Sequence, residues 1–307
     1  MNIKKVKGMM KMTATRRKKI KLQTILPYLY ISPMIILLLV FSGWPFLEAV
    51  KTSFYRNDGA MLNEFIGFKN YIDILFHDRM FWISMRNLFY LFLGMNVCFC
   101  APIIAAKLTY SILNKRVQFF IRSAFTIATV VPSVVMMMLW KFIYYPNIGL
   151  VARVVQFFGG QSPNLLGNPE TAILAVIMIG FPWVTGLSYL MYFAGLQGID
   201  ESLMEAARID GANSWQTFFR IELPMLKPMI TSLYVLAFIG QFQDFERFLI
   251  LTDGGPDNAT LLPALYMYKQ AFGDPTSSQY GYACAIAMIL FVITFALSMA
   301  FQKKEEE

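Results

Sequence analysis

The sequence predicts an all-α integral membrane protein of six transmembrane helices, with a patterned helical loop between the fourth and the fifth. Three observations predict it. Of the 307 residues, 57% are hydrophobic and only 15% charged, where a soluble domain carries about 25% charged residues; the mean hydropathy is +0.51. The apolar residues fall in blocks of about 20, the length a helix needs to cross a hydrocarbon layer. The basic residues Lys4, Lys5, Lys7, Lys11, Arg16, Arg17, Lys18, Lys19 and Lys21 gather ahead of the first apolar block with no acidic residue among them, a topology signal when it lies beside a membrane segment.

The elements follow in order. Residues 1–25 read as a basic N-terminal tail, retained because the long charged region and the uninterrupted apolar stretch after it do not fit a cleavable signal peptide. The membrane domain covers 26–301. Its first span runs from about Leu26 to Val50. A loop with charges of both signs and the phrase Phe65-Ile66-Gly67-Phe68-Lys69-Asn70-Tyr71 follows, suited to a short half-buried helix at the membrane surface. The second span covers roughly Asn87–Tyr110, the third Gln118–Tyr144, the fourth Thr171–Phe193, the fifth Met229–Leu251 and the sixth Tyr282–Phe301. Residues 302–307 form a C-terminal tail. Continuous apolar runs rather than period-two alternation make the spans helices and not barrel strands. Pro27, Pro33, Pro45, Pro132 and Pro182 predict bends in several of them.

Six spans put both termini on one side, and lysine and arginine decide which. With the N-terminus inside, the inner flanks hold the basic tail, Lys107, Lys115, Arg116, Arg208, Arg220, Lys227, Lys303 and Lys304. The outer flanks hold only Lys51, Arg56, Lys69, Arg79, Arg153 and Lys269. The positive-inside rule therefore places both termini in the cytoplasm. The net charge of +8 is no nucleic-acid signal, because the basic run lacks interleaved aromatics and a nucleic-acid fold. Cys98, Cys100 and Cys284 lie inside apolar segments, and with His77 as the one histidine they make neither a disulfide framework nor a metal set.

The loop of about 194–228 is too patterned for a plain connector. Asp200 is placed to cap a helix, Glu201 complements its positive end, and Gly211 supplies the backbone at which it stops. Asn213 or Ser214 caps a second helix with an apolar face of Trp215, Phe218 and Phe219, and Pro224 and Pro228 break the chain before it re-enters the membrane. A helical pair of this kind also suits a position on the lipid headgroups.

Glu205-Ala206-Ala207, three residues, Gly211, nine residues, Ile221, one residue, Leu223-Pro224 resembles the signature loop of the inner-membrane permease subunits of binding-protein-dependent ABC importers. The resemblance extends over most of the chain and is to the carbohydrate branch, the subunit type of the maltose permease's larger member. The phrases Ala194-Gly195-Leu196-Gln197-Gly198-Ile199, Leu251-Thr252-Asp253-Gly254-Gly255-Pro256 and Tyr280-Gly281-Tyr282-Ala283 belong to it; the basic tail does not. The resemblance implies that the loop docks on a separate ATPase through Glu205, Ala206, Ala207, Asp210 and Gly211, with Ile221, Leu223 and Pro224 completing the motif. It implies a bacterial cytoplasmic membrane, a second permease as heterodimer partner, two ATPase subunits and an extracytoplasmic solute-binding protein. ATP and magnesium are expected on the ATPase subunits and no cofactor in this chain, which is not expected to be an enzyme: a phosphate-cradling Gly-x-x-x-x-Gly-Lys-Ser/Thr loop is absent, and no Gly-Lys pair occurs.

Gln241, Gln243, Asp244, Glu246 and Arg247 interrupt the fifth span. Ionisable groups at membrane depth usually face a bundle interior or a water-filled cavity. Gln241 and Asp244, three apart, share a helix face that Phe248 extends, and an aromatic with amide and carboxylate acceptors suits a sugar. The resemblance implies sugar contact at Gln241 and Asp244, where the maltose-type subunit has asparagines; both residue types differ here, which puts maltose itself in doubt. Asp244 and Arg247 also suit a structural ion pair. Trp183, after Pro182, is a further candidate wall of the site, or an interfacial packing residue. Two other classes stand beside this reading. An ion-coupled secondary transporter using Asp244 and Glu246 predicts internal repeats that the sequence does not display convincingly, and a membrane hydrolase predicts His-Glu-x-x-His or Gly-x-Ser-x-Gly, neither of which occurs.

Overall fold

The computed structural model describes residues 25–59, 62–184, 186–273 and 278–306; the predicted basic tail lies, but for Ile25, outside them. The described chain is a helical bundle with one small hairpin. Three helices are long and apolar enough to cross a membrane unbroken: α1 (Ile25–Thr52), α2 (Arg79–Tyr110) and the final helix, whose apolar part is Tyr280–Phe301. Pro27 and Pro33 leave α1 uninterrupted. Its irregularity is a π-helical stretch, Leu39–Gly43, just ahead of Pro45, which sits in the tolerated first turn of the helical segment that follows.

The other three predicted spans are bent or broken, and each for a local reason. The third becomes α3 (Lys115–Val130) and α4 (Ser133–Ile143), bent by 96°. Pro132 holds Val131 extended (ψ 125°) and itself precedes α4, the restriction proline places on its predecessor. After a short helix α5 (Leu150–Phe157), the fourth predicted span breaks into α6 (Pro169–Met178) and α7 (Gly186–Gln197). Gly180 (φ 83°), Pro182 and Trp183 (φ 59°) occupy the gap. In the loop after α7, α8 covers Glu201–Ile209. The segment α9 (Ser214–Met225) then meets α10 (Lys227–Gln243) at 67°, with Pro224 in the last turn of α9 and Pro228 in the first turn of α10. The fifth predicted span ends early: Asp244 takes ψ 94°, and the chain restarts as α11 (Glu246–Leu251). No proline or glycine marks that break; aspartate is a poor helix former that bonds locally instead.

After α11 come α12 (Pro263–Phe272) and α13 (Tyr280–Glu306). Between α1 and α2, where the sequence predicts only a surface helix, the chain first makes an antiparallel hairpin of β1 (Tyr55–Asn57) and β2 (Asn63–Phe65), pairing Tyr55 with Phe65 and Arg56 with Glu64. Helical turns over Lys69–Ile72 and Asp73–His77 follow. The start of α13 packs on this hairpin so closely that a Cβ at Gly281 would stand 1.9 Å from the Tyr55 carbonyl oxygen. Asn70 donates to the carbonyls of Ser53 (2.8 Å) and Tyr55 (3.0 Å), locking the same corner. Asp78 caps α2 with one carboxylate oxygen and accepts from the hydroxyls of Tyr266 and Tyr282, both at 2.6 Å, with the other.

The buried core has two lobes. One, at the hairpin end, gathers Phe81, Leu88, Leu91, Phe248, Leu262, Leu265 and Ile286. The second, at the end of the Glu205–Pro224 loop, gathers Ile103, Ala106, Tyr189, Tyr192, Phe193, Leu196 and Leu226. Helix α1 buries little of its apolar surface within the chain: Leu29, Leu37, Phe41 and Leu47 are all exposed, and Phe46 meets Phe291 of α13 edge-on at 5.2 Å.

Candidate functional site

The helix breaks converge on a cavity. The end of α10, the gap at Asp244 and the start of α11 face the start of α4 and Met95 of α2 around a space of about 360 Å³, with Ser133, Met137, Gln241, Asp244, Glu246 and Arg247 on its wall. Backbone that leaves helical geometry at membrane depth is tolerated where it is buried in protein or lines a water-filled space. The α10–α11 gap lines the cavity.

Within the wall, the Asp244 carboxylate pairs with the Arg247 guanidinium, and Ser133 donates to Glu246 at 3.0 Å, tying α4 to α11. The Arg247 guanidinium also lies over the Phe248 ring at 5.2 Å. The Gln241 side-chain carbonyl and the Arg247 Nε are buried and have no hydrogen-bond partner among the described residues. Such orphans are uncommon, each costing about 1–3 kcal/mol, and here one acceptor and one donor flank the same cavity.

The residues predicted for this site therefore divide. Gln241 and Asp244 line the cavity together, though not as one helix face, because the helix ends between them. Asp244 is half of the ion pair that the sequence also allows. Phe248 does not extend the wall: it is fully buried in the first core lobe, since the restart at Glu246 turns it inward. Gln243 is exposed outside the cavity. Trp183 is not on the cavity wall; its indole donates to the Ile177 carbonyl at 2.9 Å and packs against the first core lobe, the packing alternative. Ser133 and Met137 carry no signal in the sequence, as small and apolar residues in an apolar run; only the bend at Pro132 turns them toward α11.

The helix caps of the Glu205–Pro224 loop fall at residues the sequence offers for them. Asp200 caps α8 by accepting from the Ser202 N–H at 2.9 Å, and that backbone bond holds its carboxyl below the usual carboxylate range. Gly211 ends the helix at φ 76°, left-handed backbone that suits glycine. Asn213 and Gln216 form a reciprocal capping box. Glu205, Ala206, Asp210, Gly211 and Pro224 are exposed; Ala207 is buried, and Ile221 and Leu223 are half-buried, Leu223 against the second core lobe. Trp215 stacks on Phe219 at 5.8 Å with both rings largely exposed.

Between Ile221 and Leu223 stands Glu222, fully buried, whose carboxylate meets the Lys107 ammonium of α2 at 2.5 Å. Read as a flank residue in the sequence, Lys107 is the loop's tether to the bundle. Its interruption of an otherwise apolar helix is the signal that finds it. Asn87 of α2, the first residue of a predicted span, carries no such signal. Its amide donates to the carbonyls of Asn258 (2.8 Å) and Leu261 (3.0 Å) and so holds the turn that carries Gly254-Gly255-Pro256.

Compared with known proteins, residues 99–304 match the family described as binding-protein-dependent transport system inner membrane component. The probable ABC transporter permease protein YurN of Bacillus subtilis is 36% identical over 90% of this chain and 94% of its own length. The trehalose/maltose transport system permease protein MalF of Thermococcus litoralis is 30% identical over 91% and 92%. Among solved structures, a bacterial ABC transporter involved in the import of the acidic polysaccharide alginate matches with a TM-score of 0.81 at 22% identity, over 94% of this chain and 98% of that one. At that identity the likeness is one of fold.

Proposed function

Because the chain belongs to the family of binding-protein-dependent transport system inner membrane components, we propose that it forms half of the pathway of an ATP-driven importer of sugars or oligosaccharides. A second permease completes the pathway as a heterodimer. An extracytoplasmic solute-binding protein delivers the saccharide, and two separate ATPase subunits bind ATP and magnesium. The chain crosses the bacterial plasma membrane six times, counting three straight helices, the two bent pairs and the broken fourth span, with both termini in the cytoplasm. The loop of Glu205, Ala206, Ala207, Asp210 and Gly211 docks on the ATPase, where a charge-assisted contact from exposed Glu205 fixes orientation. Ile221, Leu223 and Pro224 join it to the bundle.

One observation carries the saccharide assignment: the break in the fifth span lines a cavity with the polar residues Ser133, Gln241, Asp244, Glu246 and Arg247, a set of donors and acceptors that suits saccharide hydroxyls. The sugar-bearing names among the relatives, such as trehalose/maltose for one of them, support the same class. The wall offers Asp244 and Glu246 against one arginine, a balance that favours neutral saccharides over phosphorylated ones.

The test is to tag the chain in its native host, extract it in mild detergent and identify what co-purifies by mass spectrometry. A second six-span permease and an ATPase in comparable amounts are expected, with a saccharide-loaded binding protein in the cross-linked sample. Recovery of the chain alone, able to transport when reconstituted, would overturn the proposal.

A further inference from the structure

A second cavity lies one helical stretch beyond the first. It measures about 370 Å³ and is walled by Lys141, Tyr145, Asn164, Leu251, Thr252 and Pro256, among others. The same two helices carry both cavities. Helix α4 gives Ser133 and Met137 to the first and Lys141 to the second, while α11 gives Glu246 and Arg247 to the first and its last residue, Leu251, to the second. Ser133 and Lys141 are eight residues apart, which at 1.5 Å per residue is about 12 Å along α4.

The wall of the second cavity is held in place. Lys141 donates to the Ile250 carbonyl at 2.8 Å, satisfying a terminal carbonyl of α11 and pinning α4 to α11 at the wall of the second cavity; an ammonium has three donors, and this bond uses one. The loop that closes the cavity is fastened by the Asn147 N–H on the Ser162 hydroxyl at 2.7 Å. Asn164 accepts from the Gly167 N–H at 3.1 Å, and a Cβ at Gly167 would stand 2.3 Å from the Asn164 amide nitrogen. The glycine makes room for the amide. Tyr145 presents a ring that is 55% exposed, and no carboxylate lines the space. An exposed aromatic face, a fixed amide and spare lysine donors suit the apolar face and the hydroxyls of a sugar ring.

We propose that this cavity is a second glycosyl subsite, in line with the first, and that the substrate is therefore an oligosaccharide of at least two units that spans both. The proposal rests on the saccharide reading of the first cavity. Tyr145 stacks on the outlying ring, Asn164 bonds its hydroxyls, and Lys141 joins them while holding α4 to α11.

The experiment uses the assembled transporter. The saccharide carried by the co-purifying binding protein is identified by mass spectrometry, and uptake is measured for it and for its form shortened by one unit. We expect two or more rings. Tyr145→Ala and Asn164→Ala should each raise the half-saturating concentration for the full saccharide by about five- to tenfold and leave the shortened form unchanged, with Tyr145→Phe close to wild type. Gln241→Ala should weaken both. A monosaccharide as the captured ligand would overturn the second subsite, and so would equal losses on both substrates, which would place these residues in docking or folding. If Gln241→Ala still weakens uptake, the first cavity stands without the second. If neither cavity's variants change uptake, or no saccharide is recovered, both readings fall.

Discussion

Glu222 is fully buried, and Lys107, with 20% of its side chain exposed, is its one ionic partner among the described residues. Replacing Lys107 with Met, of similar length, leaves the Glu222 carboxylate buried with neither of its oxygens paired, since Oε2 already has no hydrogen-bond partner. Stranding one partner of a buried pair costs about 3–5 kcal/mol. The partial exposure of Lys107 puts this pair at the lower end, about 3 kcal/mol. The reciprocal change, Glu222→Met, leaves an ammonium that can turn toward water and costs less, about 1–2 kcal/mol. Removing both replaces an ion pair by apolar volume, and the double variant should return to within about 1 kcal/mol of the parent. The cycle thus gives an interaction energy of about 3–5 kcal/mol. Denaturant titrations of the purified protein in mixed micelles, followed by tryptophan fluorescence, read all four corners. Single costs that simply add, or a Lys107→Met cost under about 0.5 kcal/mol, would refute the tether between α2 and the Glu205–Pro224 loop.

The other expectations concern separate parts of the molecule. Gly281→Ala drives a methyl onto the Tyr55 carbonyl, and overpacking against backbone costs about 1–3 kcal/mol or more; limited proteolysis should cut the hairpin in the variant first. Asn87→Ala strands the Asn258 and Leu261 carbonyls at about 1–3 kcal/mol, which hydrogen exchange across residues 252–262 should report as faster local opening. Glu205→Ala and Gly211→Ala should lower uptake per ATP hydrolysed while membrane insertion stays intact, the latter through a left-handed backbone strain of about 1–2 kcal/mol; unchanged uptake in both would remove the loop from coupling. Burial, and then the bond to Asp78, raise the Tyr266 hydroxyl above its ordinary 10.0. Its contribution to stability is thus complete below about pH 10 and declines as pH rises further. Tyr266→Phe should flatten that part of the alkaline unfolding profile.

Much of this architecture is legible along the chain because hydropathy and helix punctuation are local. The straight spans α1, α2 and α13, the Asp200 cap, the Gly211 stop and the Asn213 capping signal follow from residue type and spacing. Pro132 and Pro182 mark real interruptions, although their sharpness, 96° for the first, depends on what the following helix packs against. The break at Asp244 has no such punctuation, and it alone decides that Gln241 and Asp244 line the cavity while Phe248 turns into the core. The hairpin is hidden for another reason: three-residue strands are too short for a period to show. Its stability comes from contacts distant in sequence, with Asn70 and the Gly281 approach. Lys107 is read from the sequence as a flank residue and Glu222 carries no separate signal there; their pairing across 115 positions is a property of the packed bundle.

Reconstitution separates ATP-driven from ion-driven transport. The purified complex is placed in proteoliposomes with its saccharide-loaded binding protein outside, and uptake is measured with ATP or with a proton or sodium gradient as the energy source. Uptake should require both ATP on the side of the Glu205–Pro224 loop and the binding protein on the other, with no response to an ion gradient. Uptake driven by an ion gradient through this chain alone, and abolished by Asp244→Asn, would contradict it.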